Sequence, residues 1–201
     1  MWGARPCPFT IVVLICSGLR PGNSHIDHFI SELGATGTAN EELMNLAGFI
    51  PTGVLIATFG LSLVLFLPNN YFARIGSTLI ITFGIGVVIA GIFSCDPGCP
   101  RTGSLENKIH DSVSGFVFLL AIIGILLLGI SFRNSTLFKG SWVNYSILTA
   151  ILSFGFLLAL INSIESYTLT GMWQRLLLVT IFLWCGFVGI KIFKYHGLNV
   201  K

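Results

Sequence analysis

Crossing the roughly 30 Å of bilayer hydrocarbon takes about 20 consecutive apolar residues, and a charge at the bilayer centre is costly. Four stretches of this chain meet that demand, for Leu43–Ala73, Ile75–Cys95, Ser112–Phe132 and Gly140–Ile164 contain no Asp, Glu, Lys or Arg. Helices are predicted near 44–67, 75–94, 111–132 and 142–163. A fifth runs near 172–190, where LLLVTIFLWCGFVGI lies between Arg175 and Lys191. The sixth candidate is PFTIVVLICSGL, about a dozen residues, a length that also suits a signal-peptide core. Begun at Trp2 it becomes a short retained helix, 2–19, of about 27 Å.

Composition agrees. Of 201 residues 54% are hydrophobic and only 9% charged, so water cannot cover such a surface. Disorder, a disulfide-dense secreted module and a nucleic-acid reader are all excluded, and the bilayer itself is the expected partner. The fold class is therefore all-α: a polytopic transmembrane bundle of six helices plus a short interfacial helix, forming one integral membrane domain over 1–201.

Six spans put both termini on one side. With a cytoplasmic N-terminus, Arg5, Arg74, Arg133, Lys139, Lys191, Lys194 and Lys201 face inward, seven of the eleven cations. That satisfies the positive-inside rule. All eight acids, Asp27, Glu32, Glu41, Glu42, Asp96, Glu106, Asp111 and Glu165, then face outward. No ionisable residue falls in the middle of a span, which weighs against an ion-coupled carrier, and no His or Met is placed to ligate a haem between helices. Glycines within the spans, and the Gly86/Ala90 pair, predict close helix contact. Pro51 is expected to kink the second helix, and Tyr71, Trp142, Tyr145, Trp173 and Tyr195 to anchor helix ends at the interface.

The outward loops hold the candidate chemistry. Ile26, Phe29, Ile30 and Leu33 follow i, i+3, i+4, i+7 and predict a surface helix over 25–33, started by Ser24, with His25, His28 and Glu32 on its polar side. Asn40 is expected to cap the second span, with Glu41 and Glu42 beside its dipole. Cys95 and Cys99 bracket Asp-Pro-Gly, a turn that can bring two sulfurs together. A Cys95–Cys99 disulfide is expected on the oxidising outer side, with free thiols or a metal-binding pair as the alternatives. Cys7, Cys16 and Cys185 read as small apolar residues. His110 and Asp111 follow where the fourth span begins. Imidazoles and carboxylates are the usual metal ligands and proton carriers. His25, His28, Glu32, His110 and Asp111 are therefore acid/base candidates, and His25, His28, His110 and Asp96 metal candidates. Structural loop contacts are the plain alternative.

Ile30–Gly34 (ISELG), Met44–Phe49 (MNLAGF), Gly91–Pro100 (GIFSCDPGCP) and the downstream His110 resemble a family of bacterial and archaeal multi-pass membrane proteins known only as domain of unknown function 998. The likeness covers essentially the whole chain. It implies six helices and a bacterial or archaeal plasma membrane, and brings no activity, substrate or cofactor. The reading that follows is an outer-facing polar site that binds or processes a lipid or other amphiphile. A small transporter or channel-like module and a non-catalytic assembly partner are the alternatives.

Overall fold

The computed structural model describes residues 8–199, without the side chains of 196–199. Trp2, Arg5, Cys7 and Lys201, on which part of the first span and of the charge count rests, lie outside the described residues. Among those described there are helices and no strand: α1 Pro8–Leu19, α2 Ile50–Phe66, α3 Tyr71–Ile92, α4 Leu105–Ser131, α5 Ser141–Ser163 and α6 Thr170–Asn199. A π-helical stretch, Leu43–Phe49, leads into α2. Five helices, the last five in chain order, are long and apolar enough to cross a membrane. The described part of α1 has 12 residues, about 18 Å at 1.5 Å per residue, which is less than a full crossing.

Local chemistry sets the helix ends. Ser104 starts α4, its hydroxyl accepting the Asn107 N–H at 3.1 Å, so this helix begins six residues before the expected 111. Asn70 starts α3 in the same way through the Ala73 N–H at 2.9 Å. The chain ahead of Pro51 is wound in the wider π turn, the Ile50 N–H reaching the Asn45 carbonyl. Such turns, like proline itself, are places where helices bend.

Each helix from α2 to α6 packs antiparallel on the next, and α6 returns to α2, with the Phe59 ring edge-on to Trp184 at 6.2 Å. α1 lies along the π-helical stretch, where Phe9 meets Phe49 and Phe182, both at 5.6 Å. All eight acids lie at one end of this bundle, on or beside the loops that join α1 to α2, α3 to α4 and α5 to α6. Arg74, Arg133, Lys139, Lys191 and Lys194 lie at the other. We call these the acidic and basic ends.

Glycines let the backbones touch. A Cβ on Gly84 of α3 would stand 2.4 Å from the Ala57 nitrogen of α2, and one on Gly53 would stand 2.5 Å from the Gly84 carbonyl oxygen. α3 meets α4 as closely, for a Cβ on Gly76 would come within 3.0 Å of the Gly124 oxygen. By contrast, a Cβ on Gly155, on the exposed face of α5, meets nothing within 4 Å. Gly84→Ala should therefore destabilise the bundle by about 1–3 kcal/mol through forced backbone separation. Gly155→Ala should be neutral or stabilising. Thermal unfolding of the two variants in detergent tests this, and equal midpoints would refute the backbone-contact account.

Candidate functional site

The segment expected to be a surface helix is instead a turn followed by a short 3-10 helix, Ser31–Gly34. Ser24 does begin it: its hydroxyl accepts the Ile26 and Asp27 N–H groups at 3.3 and 3.1 Å, and the His28 N–H reaches the Ser24 carbonyl at 3.0 Å. The next donors go elsewhere. Phe29 N–H donates to Glu32 Oε1 at 2.9 Å and Ile30 N–H to Gln174 Oε1 at 2.6 Å. The carbonyls of Ile26 and Asp27 accept the Met172 and Gly171 N–H groups at 2.8 and 3.2 Å, and the Asp27 carboxylate accepts that of Leu169 at 3.0 Å. Residues 24–30 thus cap the start of α6, whose first N–H groups have no partner within their own helix. A continuing helix would have withheld those carbonyls.

Glu32 was placed on a polar outer side by its spacing, yet it is 2% exposed. Its carboxylate accepts from Arg20 Nη2 at 3.1 Å, from Phe29 N–H and from the Tyr167 hydroxyl. Tyr167 also reaches the Gly98 carbonyl at 3.0 Å, and its ring lies against Phe29 and His28. Burial and the Glu32 carboxylate push the Tyr167 phenol up from its ordinary range, so it acts as a fixed donor. Three non-glycine residues, Cys99, Tyr167 and Leu169, adopt positive φ in these loops. Such conformations persist only where surrounding contacts impose them.

The π-helical stretch joins the same assembly. Asn45 is buried, its amide donating to the Gly34 carbonyl at 3.0 Å and Ser94 Oγ at 2.8 Å. A Cβ on Gly91 would come within 2.8 Å of Phe49. Asn40, expected to cap the second span through its side chain, instead donates to the Cys16 carbonyl at 2.9 Å and ties α1 in place. Cys95 and Cys99 are joined by a disulfide, while Cys16 and Cys185 are free.

Beneath these loops lies a cavity of about 460 Å³, lined from α1, α3, α4, α5, α6 and the π-helical stretch. The polar groups of its lining, Ser31, Arg101, His110, Asp111, Ser114 and Gln174, lie toward the loop end, beside Phe29, Ile30 and Ile164. Its depth is apolar: Phe9, Phe49, Phe83, Phe118, Leu157, Leu178 and Phe182. From His110 to Phe118 on α4, or Gln174 to Phe182 on α6, it descends about 12 Å. Ile80, Ile125, Ile181 and Trp184 are fully buried below it. A second cavity of about 280 Å³, lined by residues that include Leu67, Ser135 and Tyr195, shares no lining residue with the first.

His110 is 5% exposed and its Nδ1 lies 3.0 Å from the Ala90 carbonyl and 2.9 Å from that of Phe93. Both partners only accept, so Nδ1 carries a proton and donates. Of the sequence-derived candidates, His110 and Asp111 line the cavity; His25, His28, Glu32 and Asp96 do not. His25 is exposed, and His28 Nδ1 accepts the Ser24 N–H at 3.2 Å. Asp96 accepts both the N–H and the hydroxyl of Ser104, at 2.7 and 2.8 Å. Among the described residues no three His, Cys, Asp or Glu side chains stand together as metal ligands would. Ser114 and Gln174 were not singled out from the sequence. Their signals were slight: Ser114 lies one turn beyond His110, and Gln174 is the amide in the first turns of an apolar helix.

Residues 7–191 match the family model described as "Protein of unknown function (DUF998)". The chain belongs to this family. No curated protein and no solved structure matches it. The segments that carried the resemblance converge here: Ile30–Gly34 and Met44–Phe49 meet through Gly34 and Asn45, Gly91–Pro100 joins them through Gly91 and Ser94, and His110 closes on Phe93. In this member of the DUF998 family those motifs build the roof and upper wall of one cavity.

Two predictions follow from these contacts. Arg20 Nη1 and Arg175 Nε and Nη2 are buried without a partner, so two guanidinium groups already outnumber the Glu32 carboxylate. Glu32→Ala should cost about 3–5 kcal/mol, as for a buried pair stripped of one charge, and Tyr167→Phe only about 1–2 kcal/mol. Comparable unfolding midpoints for the two would count against a central role for Glu32. The second concerns acid. The Leu169 N–H and the Ser24 hydroxyl hold the Asp27 carboxyl below the usual carboxylate range, and the Ser104 N–H and hydroxyl do the same for Asp96. A lowered folded pKa contributes stability that is present above the unfolded value of about 4 and lost as pH falls through the folded one. Asp27→Asn should therefore lower the melting temperature at neutral pH, with the gap from wild type closing as the pH is taken below about 4. A gap independent of pH would contradict this.

Proposed function

We propose that this protein is a single-unit membrane protein that takes up an amphiphile from the outer leaflet and holds it in the cavity at the acidic end. The observation that carries this reading is the cavity's polarity gradient. A blind, phenylalanine-walled volume opens at a rim of hydrogen-bonding groups, and 460 Å³ falls within the roughly 300–1,000 Å³ of small-molecule sites.

Access follows from exposure. The open lining residues include Asp111 and Gly115 on α4 and Ile161 on α5, so the mouth lies between the acidic ends of these two helices. At the basic end the same helices are shut, for a Cβ on Gly129 would come 2.7 Å from Ser146 Cβ. A chain lying among lipids can thus enter sideways with its head left at the rim. The excess of basic residues at the opposite end supports an outward-facing mouth and a cytoplasmic C-terminus, in a bacterial or archaeal plasma membrane. A conduit is not supported, because the cavity ends on Phe83, Phe118 and Phe182 above a buried apolar layer.

Gly115 offers a direct test, since a Cβ there meets nothing within 4 Å and the residue lines the cavity. Gly115→Phe should fill the space without harming the fold, whereas Gly155→Phe places the same ring on an exposed face. Native mass spectrometry of protein released from its membrane should find a co-purifying amphiphile on wild type and Gly155→Phe, and none on Gly115→Phe. Equal occupancy in all three would end the cavity reading and favour an assembly role.

A further inference from the structure

We infer that the cavity selects a single-chain amphiphile whose head is uncharged and carries hydroxyl groups. This rests on the amphiphile-binding reading and adds the chemistry of the head.

Among the described residues that line the cavity the one guanidinium is that of Arg101. It is exposed and already paired with Glu165 at 3.2 Å. Asp111 stands on the same rim, one carboxylate oxygen accepting from Asn107 Nδ2 at 3.2 Å. A phosphate or carboxylate head would meet that carboxylate, and the surplus guanidinium charge of the roof, on Arg20 and Arg175, does not line the cavity. An ammonium head fails for a different reason. It only donates, and the rim presents a donor as well as acceptors. Gln174 spends its Oε1 on Ile30 N–H, and no described residue accepts from its Nε2. The Asp111 carboxylate is the rim's acceptor, and His110 Nε2 has no described partner. A hydroxyl is both donor and acceptor, so one group satisfies Asp111 and Gln174 together. An ammonium would leave the half-buried Gln174 amide without an acceptor. The volume suits one chain rather than a whole diacyl lipid.

Three probes sharing an oleoyl-type chain separate these heads: 1-oleoylglycerol, oleoyl lysophosphatidylglycerol and oleylamine. Each is titrated into the full-length protein in nanodiscs at equal membrane mole fraction, with occupancy read by native mass spectrometry. 1-Oleoylglycerol should bind about tenfold or more tightly than either charged probe. Asp111→Asn should narrow the gap to lysophosphatidylglycerol and leave 1-oleoylglycerol within about twofold, since an amide still offers an acceptor oxygen. Similar binding of all three probes, each abolished by Gly115→Phe, would overturn head selection and leave the cavity reading standing. Preference for a charged probe would overturn it too. Absence of binding by every probe, or binding indifferent to Gly115→Phe, would remove both.

Discussion

The close approach of α2, α3 and α4, backbone against backbone, is the contact from which the rest of the arrangement follows. Within lipid the hydrophobic effect does not drive helices together, so packing must, and it is tightest where no side chain intervenes. Gly53, Gly76, Gly84 and Gly124 supply such places. α3 carries its small residues on two sides: Gly84 and Gly91 meet α2 and the stretch ahead of it, while Gly76 and Gly86 meet α4. Gly86 and Ala90 also line the cavity, so the α4 side of the helix has two results. Where a partner backbone follows it the bundle is sealed, and where α4 and α5 part, space remains.

Above that space the protein has a polar roof held by a few buried groups. Glu32 gathers the α1–α2 connection, Tyr167 carries its hold to the α5–α6 connection and to the disulfide-bearing loop, and Asn45 ties the roof to the helix beneath. None of these three lines the cavity. The groups left unmatched at the rim, His110 Nε2 and the Gln174 amide, are those whose other atoms are fully committed to the backbone. Their orientation is thus set by the fold itself.

Much of this was legible in the sequence, because the bilayer imposes the same demand on every span. The four stretches without charge and the span around Arg175 became five membrane-length helices, and His110 and Asp111, singled out at a helix start, line the cavity. The surface helix over 25–33 was misread for a physical reason. The Ile26, Phe29, Ile30, Leu33 spacing is a local signal, but the Ile30 N–H is taken by Gln174, 144 residues away. Glu32 was assigned to water by the same helical wheel, and Ile26, assigned to the apolar stripe, is 53% exposed. Periodicity carries no information about distant partners. Ser114 and Gln174 escaped notice because an uncharged polar residue inside an apolar helix is usually satisfied by its own backbone, as Thr58, Thr78 and Thr180 are here.

The capping of α6 by the turn at residues 24–30 also orders the events of assembly. Its hydrogen bonds join residues separated by 142, 144 and 147 positions, and the Glu32–Tyr167 contact joins residues separated by 135. Loops that long cannot close until nearly the whole chain has been made and its last helix has entered the bilayer. Until then the turn keeps its carbonyls unpaired and the space below stands open to lipid. The roof is thus a completion step: a chain arrested before α6 has most of its helices but no closed cavity.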